Sequence, residues 1–302
     1  MIKSAARFKG SVPPLVTPFA GGAVDFAAYA RLVEFQIANG SSGVLVCGTS
    51  GEPSTLSLPE RNRLVDTAIE AAHRRIPIFA HTGSQSFAET EALTRHAVKA
   101  GADAILIVTP YYIRPPQRGL VQYYLEMTKG FETPWLLYHI PIRAAVGVTL
   151  DTVKELAEKS PNFVGMKHTL NDLGFVSKVL HALGPEFRLF CGLEDLSFPM
   201  LAIGACGVMN AIGNIVPRLL ADLCAAVERG DLGEARRLHD RMFELNQAVL
   251  LETNPTAVKF MMKRLGLLAD NEHRLPMMPA TAEFGRALDG FLKRAGLLSK
   301  DQ

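Results

Sequence analysis

Cysteine, net charge and long apolar runs are all scarce in this 302-residue chain, and each scarcity removes a class of function. The four cysteines, Cys47, Cys191, Cys206 and Cys224, never stand in Cys-x-x-Cys spacing. That argues against a disulfide scaffold or a zinc ribbon and for a reducing compartment. Lys plus Arg exceed Asp plus Glu by only 32 to 30, so no general field draws the protein to nucleic acid or an anionic membrane. No stretch approaches the roughly 20 uninterrupted apolar residues of a membrane span. The opening MIKSAARFKGSVPPLVTPF has only a short apolar run, broken by prolines, which does not suit a secretory signal. The expected compartment is the cytoplasm.

What is present is a repeat of short apolar runs. SVPPLVTP, GVLVCGT, IPIFAHTG, DAILIVTP, PWLLYHIP, FVGMKHT, FRLFCGL and GVMNAI begin near residues 11, 43, 76, 103, 134, 163, 187 and 207. Most of the gaps between them carry amphipathic helical patterns such as FAAYARLVEFQIANG. Continuous apolar runs mean strands buried on both faces, as in a parallel sheet covered by helices. The spacing therefore predicts an α/β fold, a (β/α)8 TIM barrel. An open doubly wound sheet is the competing arrangement, but the Gly-x-Gly-x-x-Gly turn is missing after the first strand. Beyond the eighth run the pattern is wholly helical, near 217–229, 231–251, 255–266 and 280–296, interrupted at Asn254-Pro255, Pro276 and Pro279. The division expected is a barrel over 1–230 and, over 231–302, a C-terminal helical extension packed on it or on a neighbouring subunit.

Barrel chemistry sits at the C-terminal ends of the strands, and the polar residues of this chain gather there. Lys167 closes the run Phe163-Val164-Gly165-Met166 and should project into a poorly solvated mouth. A neutral amine in such a place is the nucleophile needed to form an imine with a ketone; the alternative is a lysine snorkelling to solvent. Tyr138, at the end of the fifth run, could shuttle a proton through Thr49 and a second tyrosine, or could be a core tyrosine with a satisfied hydroxyl. The Gly48-Thr49-Ser50-Gly51-Glu52 turn offers backbone N–H groups and two hydroxyls to a small carboxylate, although such residues also make ordinary turns. Arg143 could hold a second carboxylate or lie on the surface. His81, His139 and His168 raise the possibility of a metal site. The first strand, however, lacks a His-x-His pair, and pleat alternation turns His139 and His168 outward from Tyr138 and Lys167, so no metal is expected.

GTSGE, VTPYYIRP, LYHIPIR, VGMK, the glycine of FCGLED, TNPTAVK and RLPMMP, in that order, resemble the dihydrodipicolinate synthase and N-acetylneuraminate lyase family from about residue 8 to about residue 290. The resemblance implies a pyruvate-dependent Schiff-base aldolase or synthase with no cofactor. Its substrates would be pyruvate and an aldehyde, or a 4-hydroxy-2-oxo acid. It implies Lys167 as the Schiff-base lysine, Tyr138 as the proton-transfer residue, and Thr49 and Ser50 on the pyruvate carboxylate. Tyr112 would complete a hydroxyl chain across a dimer interface, Gly192 and Met209 would line the pyruvate pocket, and the assembly would be a homotetramer. Where the synthases read Tyr-Asn-x-Pro-x-Arg-Thr and Lys-Glu-Ala, this chain has Tyr138-His139-Ile140-Pro141-Ile142-Arg143-Ala144 and Lys167-His168-Thr169. Leu58 and Arg61 replace the histidines of the lysine-regulated synthases, so lysine inhibition is not expected. Lys167-x-Thr169-x-x-Asp172-Leu173 and Glu194-Asp195 look like the sialic acid lyases, with Thr169 and Glu194 as substrate contacts, whereas Arg143 is a synthase feature that fits a carboxylated acceptor. On these departures, an aldolase for 4-hydroxy-2-oxo dicarboxylic acids ranks ahead of the lysine-biosynthetic synthase and of an N-acetylneuraminate-lyase-like sugar-acid aldolase, with a silent keto-acid binder as the reading outside enzymes.

Overall fold

The apolar runs become strands covered on both faces: every residue of the second to the seventh strand is buried. In the computed structural model, which describes residues 3–299, the strands of the main sheet are β1 (Gly10–Ser11), β2 (Val44–Val46), β3 (Ile78–His81), β4 (Ala104–Val108), β5 (Trp135–His139), β6 (Phe163–His168), β7 (Arg188–Cys191) and β8 (Gly207–Val208), beside a small antiparallel hairpin of Phe19–Ala20 with Ala23–Val24. Within the main sheet all neighbours are parallel, from β2 through to β8 and on to β1. The ring closes past the end of β1, where Leu45 N donates to Pro13 O at 2.9 Å and Leu15 N to Leu45 O at 3.0 Å. This is the (β/α)8 TIM barrel that the spacing predicts.

Pleat alternation divides the apolar residues between two cores. Leu45, Phe79, Leu106, Leu136, Val164 and Phe190 fill the barrel interior with Phe8 and Val12. Val44, Val46, Ile105, Ile107, Leu137 and Met166 face the surrounding helices. One strand breaks the alternation. Trp135 pairs with Phe163 but Leu136 pairs with Gly165, so Val164 is an extra residue in β6 and the strand is rephased there. Met166 consequently turns to the helices, and Lys167 pairs with Tyr138 on the interior face.

Helices α1 (Phe26–Ala38), α2 (Leu58–Ala72), α3 (Phe87–Ala100), α4 (Gln117–Met127), the short α5 (Pro141–Ala144), α6 (Leu150–Lys159), α7 (Leu173–Leu183), the short α8 (Ser197–Ala202) and α9 (Pro217–Glu228) follow the strands. Their starts are written locally: Ser57 and Glu60 form a capping box on α2, and Asp172 caps α7 by accepting from Phe175 N at 2.8 Å. The C-terminal helices α10 (Leu232–Leu250), α11 (Thr256–Arg264) and α12 (Ala282–Arg294) pack on one another, and α10 also packs on α8 and α9. The segment between α10 and α11 runs past the C-terminal mouth, where Asn254 Nδ2 donates to Ser50 Oγ at 2.9 Å. Among the described residues no helix is long and apolar enough to cross a membrane.

Candidate active site

Lys167 owes its position to the β6 bulge and to the absence of a side chain beside it. A Cβ on Gly192 would stand 2.7 Å from Lys167 Cε and 2.3 Å from Thr169 Cγ2, so only glycine leaves room for the lysine stem at the end of β7. The residue is 3% exposed, yet among the described residues no carboxylate lies within ion-pair distance of its Nζ. Tyr138 stands beside it, with its ring centroid 4.5 Å from Nζ. The Tyr138 hydroxyl lies 3.0 Å from Thr49 Oγ1. A buried, unpaired amine next to a linked pair of hydroxyls can attack a carbonyl carbon and pass protons to and from its oxygen.

A cavity of about 580 Å³ at this mouth is lined by Lys167, Tyr138, Thr49, Ser50, Arg143, Thr169, Gly192, Glu194 and Met209. Nine of the ten residues expected from the sequence to act on substrate therefore meet in one place. The exception is Tyr112, which is 82% exposed at a positive φ of 77° and lines neither this cavity nor its neighbour. Within one chain, the hydroxyl chain stops at Thr49.

The polar groups of the mouth are partly spent on its own architecture. Thr169 Oγ1 donates to His139 O at 2.7 Å, leaving the oxygen as an acceptor. The N–H groups of Gly192 and Met209 go to His168 O and Cys191 O. Glu194 accepts from Ala211 N at 2.7 Å, and burial pushes its carboxyl up from the usual range, against that bond. Its neighbour Asp195 is exposed. Glu194 thus braces the ends of β7 and β8, and Asp172 is committed to the cap of α7. Both carboxylates of the lyase-like pattern thus hold backbone N–H groups. Arg143, on α5, is exposed at the rim, where its guanidinium can meet a ligand from solvent.

His139 and His168 face away from the mouth, as alternation requires. They lie 3.0 Å apart, Nδ1 to Nδ1, and both pack on Phe175 of α7. Val148 N donates to His139 Nε2 at 3.2 Å, so the His139 Nδ1–H donates to His168. Burial holds His139 down at about 3, helped by His168, and His168 down at about 4, so both rings are neutral at pH 7. His81 is apart from them. Its Nδ1 donates to Cys47 O at 2.8 Å, and burial followed by the nearby Arg61 charge holds it at about 3. Among the described residues no three His, Cys, Asp or Glu side chains gather as a metal-holding group. Arg61 donates to His81 O at 2.9 Å and, with Leu58, lines an adjoining cavity of about 710 Å³.

The sequence reading missed the residues that hold the Thr49–Ser50 turn from behind: Asn254 on Ser50, and the ion pair of Glu52 with Lys259 at 2.8 Å. The turn and the TNPTAVK segment are conspicuous in the sequence, but nothing in it says that they touch.

A family model for the dihydrodipicolinate synthetase family matches residues 7–295. This chain belongs to that family. As a member it is a lyase, a pyruvate-dependent aldolase of class I. It is 40% identical over 296 residues to a protein of Thermus thermophilus named 4-hydroxy-tetrahydrodipicolinate synthase, a match covering 98% of this chain and 99% of that one. The crystal structure of dihydrodipicolinate synthase from Aquifex aeolicus superposes with a TM-score of 0.94 at 36% identity, covering 96% of this chain and 99% of that one. A prophage protein of the family from E. coli K12, solved in complex with pyruvate, superposes with a TM-score of 0.92 at 29% identity, over 96% and 99% of the two chains.

Proposed function

We propose that Lys167 condenses with the ketone of pyruvate and that the resulting enamine adds to an aldehyde bearing a carboxylate, with cleavage of the matching 4-hydroxy-2-oxo acid as the reverse. The observation that carries this is the buried Lys167 amine without a counter-ion beside the Tyr138–Thr49 hydroxyl pair. Nζ attacks the carbonyl carbon, Tyr138 returns protons to the oxygen, and water leaves to give the iminium. The iminium then withdraws electrons from the methyl group, whose proton departs, and the enamine carbon forms the new bond. That electron sink is made from the lysine itself, so the cycle calls for no organic cofactor or metal.

Thr49 and Ser50 receive the pyruvate carboxylate in this reading, Thr169, Gly192 and Met209 shape the pocket, and Arg143 at the rim takes the carboxylate of the acceptor. Glu194 acts through Ala211 rather than on substrate. Tyr112, projecting from its own chain, enters the site of a second copy and extends the hydroxyl chain. That exchange needs a dimer, and the reading extends it to a homotetramer, a dimer of dimers, in the cytoplasm.

The choice of acceptor changes once the outward histidines are known. His139 and His168 stand where the synthases have Asn and Glu, yet both rings point to α7, so these differences do not alter the mouth. The reaction named for the Thermus relative therefore moves ahead of a catabolic oxo-acid aldolase. Both readings keep the carboxylated acceptor. Intact-mass measurement after pyruvate and borohydride, with peptide mapping, tests the core of the proposal. A stable adduct on Lys167 is expected, whereas no adduct at saturating pyruvate would refute it and favour a silent keto-acid binder. An aldehyde screen with the carboxylate present or absent then tests the role of Arg143.

A further inference from the structure

Among the described residues the most deeply buried ion pair lies behind the mouth, between Glu52 and Lys259. Glu52 ends the Thr49–Ser50 turn in the left-handed region at φ 53°, ψ 44°, a conformation uncommon for a residue with a Cβ. Its side chain and that of Lys259 on α11 are each 1% exposed. Glu52 Oε1 accepts from Lys259 Nζ at 2.8 Å, and Oε2 lies 3.0 Å from His273 Nδ1, beyond α11. Lys259 also donates to the Glu272 carbonyl and stands 4.4 Å from the centre of the Phe19 ring. Asn254 reaches the same turn two residues earlier by donating to Ser50 Oγ at 2.9 Å. A hydroxyl that accepts from an amide keeps its own proton for another acceptor, and Ser50 lines the cavity.

Apolar packing would hold the extension to the barrel at least as well as a buried ion pair does, because two desolvated charges gain little net stability. What the ion pair supplies is direction. It anchors the last residue of the turn in a strained conformation, while Asn254 aims the hydroxyl within it. We propose that Glu52, Lys259, His273 and Asn254 are positioning residues through which the C-terminal extension sets the geometry of the carboxylate receptor. This rests on the reading that Thr49 and Ser50 hold the pyruvate carboxylate.

The test uses the full chain and borohydride trapping at increasing pyruvate, read as the half-saturating concentration, beside trapping of a methyl ketone that has no carboxylate. The variants are Asn254→Ala and the charge-balanced pair Glu52→Gln with Lys259→Met. Asp289→Asn is the control, because it breaks the Arg264–Asp289 pair within the extension, away from the turn. Half-saturation by pyruvate should rise by about tenfold or more, the scale of one lost charge-assisted hydrogen bond. Half-saturation by the plain ketone should not move, and at saturation the adduct should still map to Lys167. Asn254→Ala removes one amide only and decides the matter should the double variant not fold. The idea is overturned if pyruvate and ketone shift together, if neither shifts, or if the control shifts as much. A wild-type chain that traps neither compound refutes the Schiff-base reading itself, and this proposal with it.

Discussion

The paired histidines behind the mouth make the fold sensitive to acid, and the size of the effect can be worked out. An unfolded histidine titrates near 6.5, whereas burial holds His139 at about 3 and His168 at about 4. Only the neighbouring Asp172 carboxylate pulls both upward. A base with a depressed folded value gives its full stability above its unfolded value and loses it as pH falls, because the unfolded chain takes up protons that the folded chain refuses. The window therefore opens below pH 6.5 and levels off near the folded values. Between pH 8 and pH 5 each ring should cost about 2 kcal/mol, and the pair about 4 kcal/mol. Guanidinium unfolding of the wild type and of His139→Asn with His168→Gln, at pH 8 and pH 5 and one protein concentration, reads this directly. His81 titrates the same way in both proteins and cancels. The wild type should lose about 4 kcal/mol more than the double variant over that interval. Equal losses would refute the reasoning, since the rings would then carry no proton-linked stability.

Tyr138→Phe should slow turnover by roughly 10²- to 10⁴-fold, the usual scale of lost proton transfer, while leaving Lys167 trappable; unchanged turnover would remove Tyr138 from the chemistry. Gly192→Ala should abolish adduct formation on Lys167, because the new methyl would stand 2.7 Å from Cε, with circular dichroism confirming the fold. Full trapping would mean that the lysine stem has another path. Arg143→Leu should raise the KM of a carboxylated aldehyde by about tenfold or more and leave pyruvate trapping unchanged; equal effects on both would place Arg143 on pyruvate instead.

The barrel was legible because the apolar runs are continuous and the gaps between them are helical in period, even though β1 and β8 keep only two residues each of regular strand. Lys167 and Tyr138 were legible because each ends an apolar run, where a polar residue must meet either solvent or a site. The outward turn of His139 and His168 followed from alternation alone. Their contact with each other did not, since it depends on the parallel register of β5 and β6. Glu52 and Lys259 were out of reach for the opposite reason: 207 positions separate them, and local pattern carries no information about a pairing made when the extension folds back. A carboxylate that caps a helix or holds a backbone N–H, as Asp172 and Glu194 do, looks in sequence like one that binds a hydroxyl. Tyr112 could be read only as a surface residue or as one that serves another chain.

The extra residue in β6 makes the chemistry of the barrel a matter of counting. Before Val164 the strand keeps one parity and after it the other, so the lysine faces the interior by virtue of an odd step made three residues upstream. Side chains in the first half of the strand can be exchanged without rotating Lys167. Removal of Val164 itself would leave Leu136 opposite Gly165 and Tyr138 opposite Lys167, a barrel whose strand has lost its irregularity and whose amine still stands at the mouth.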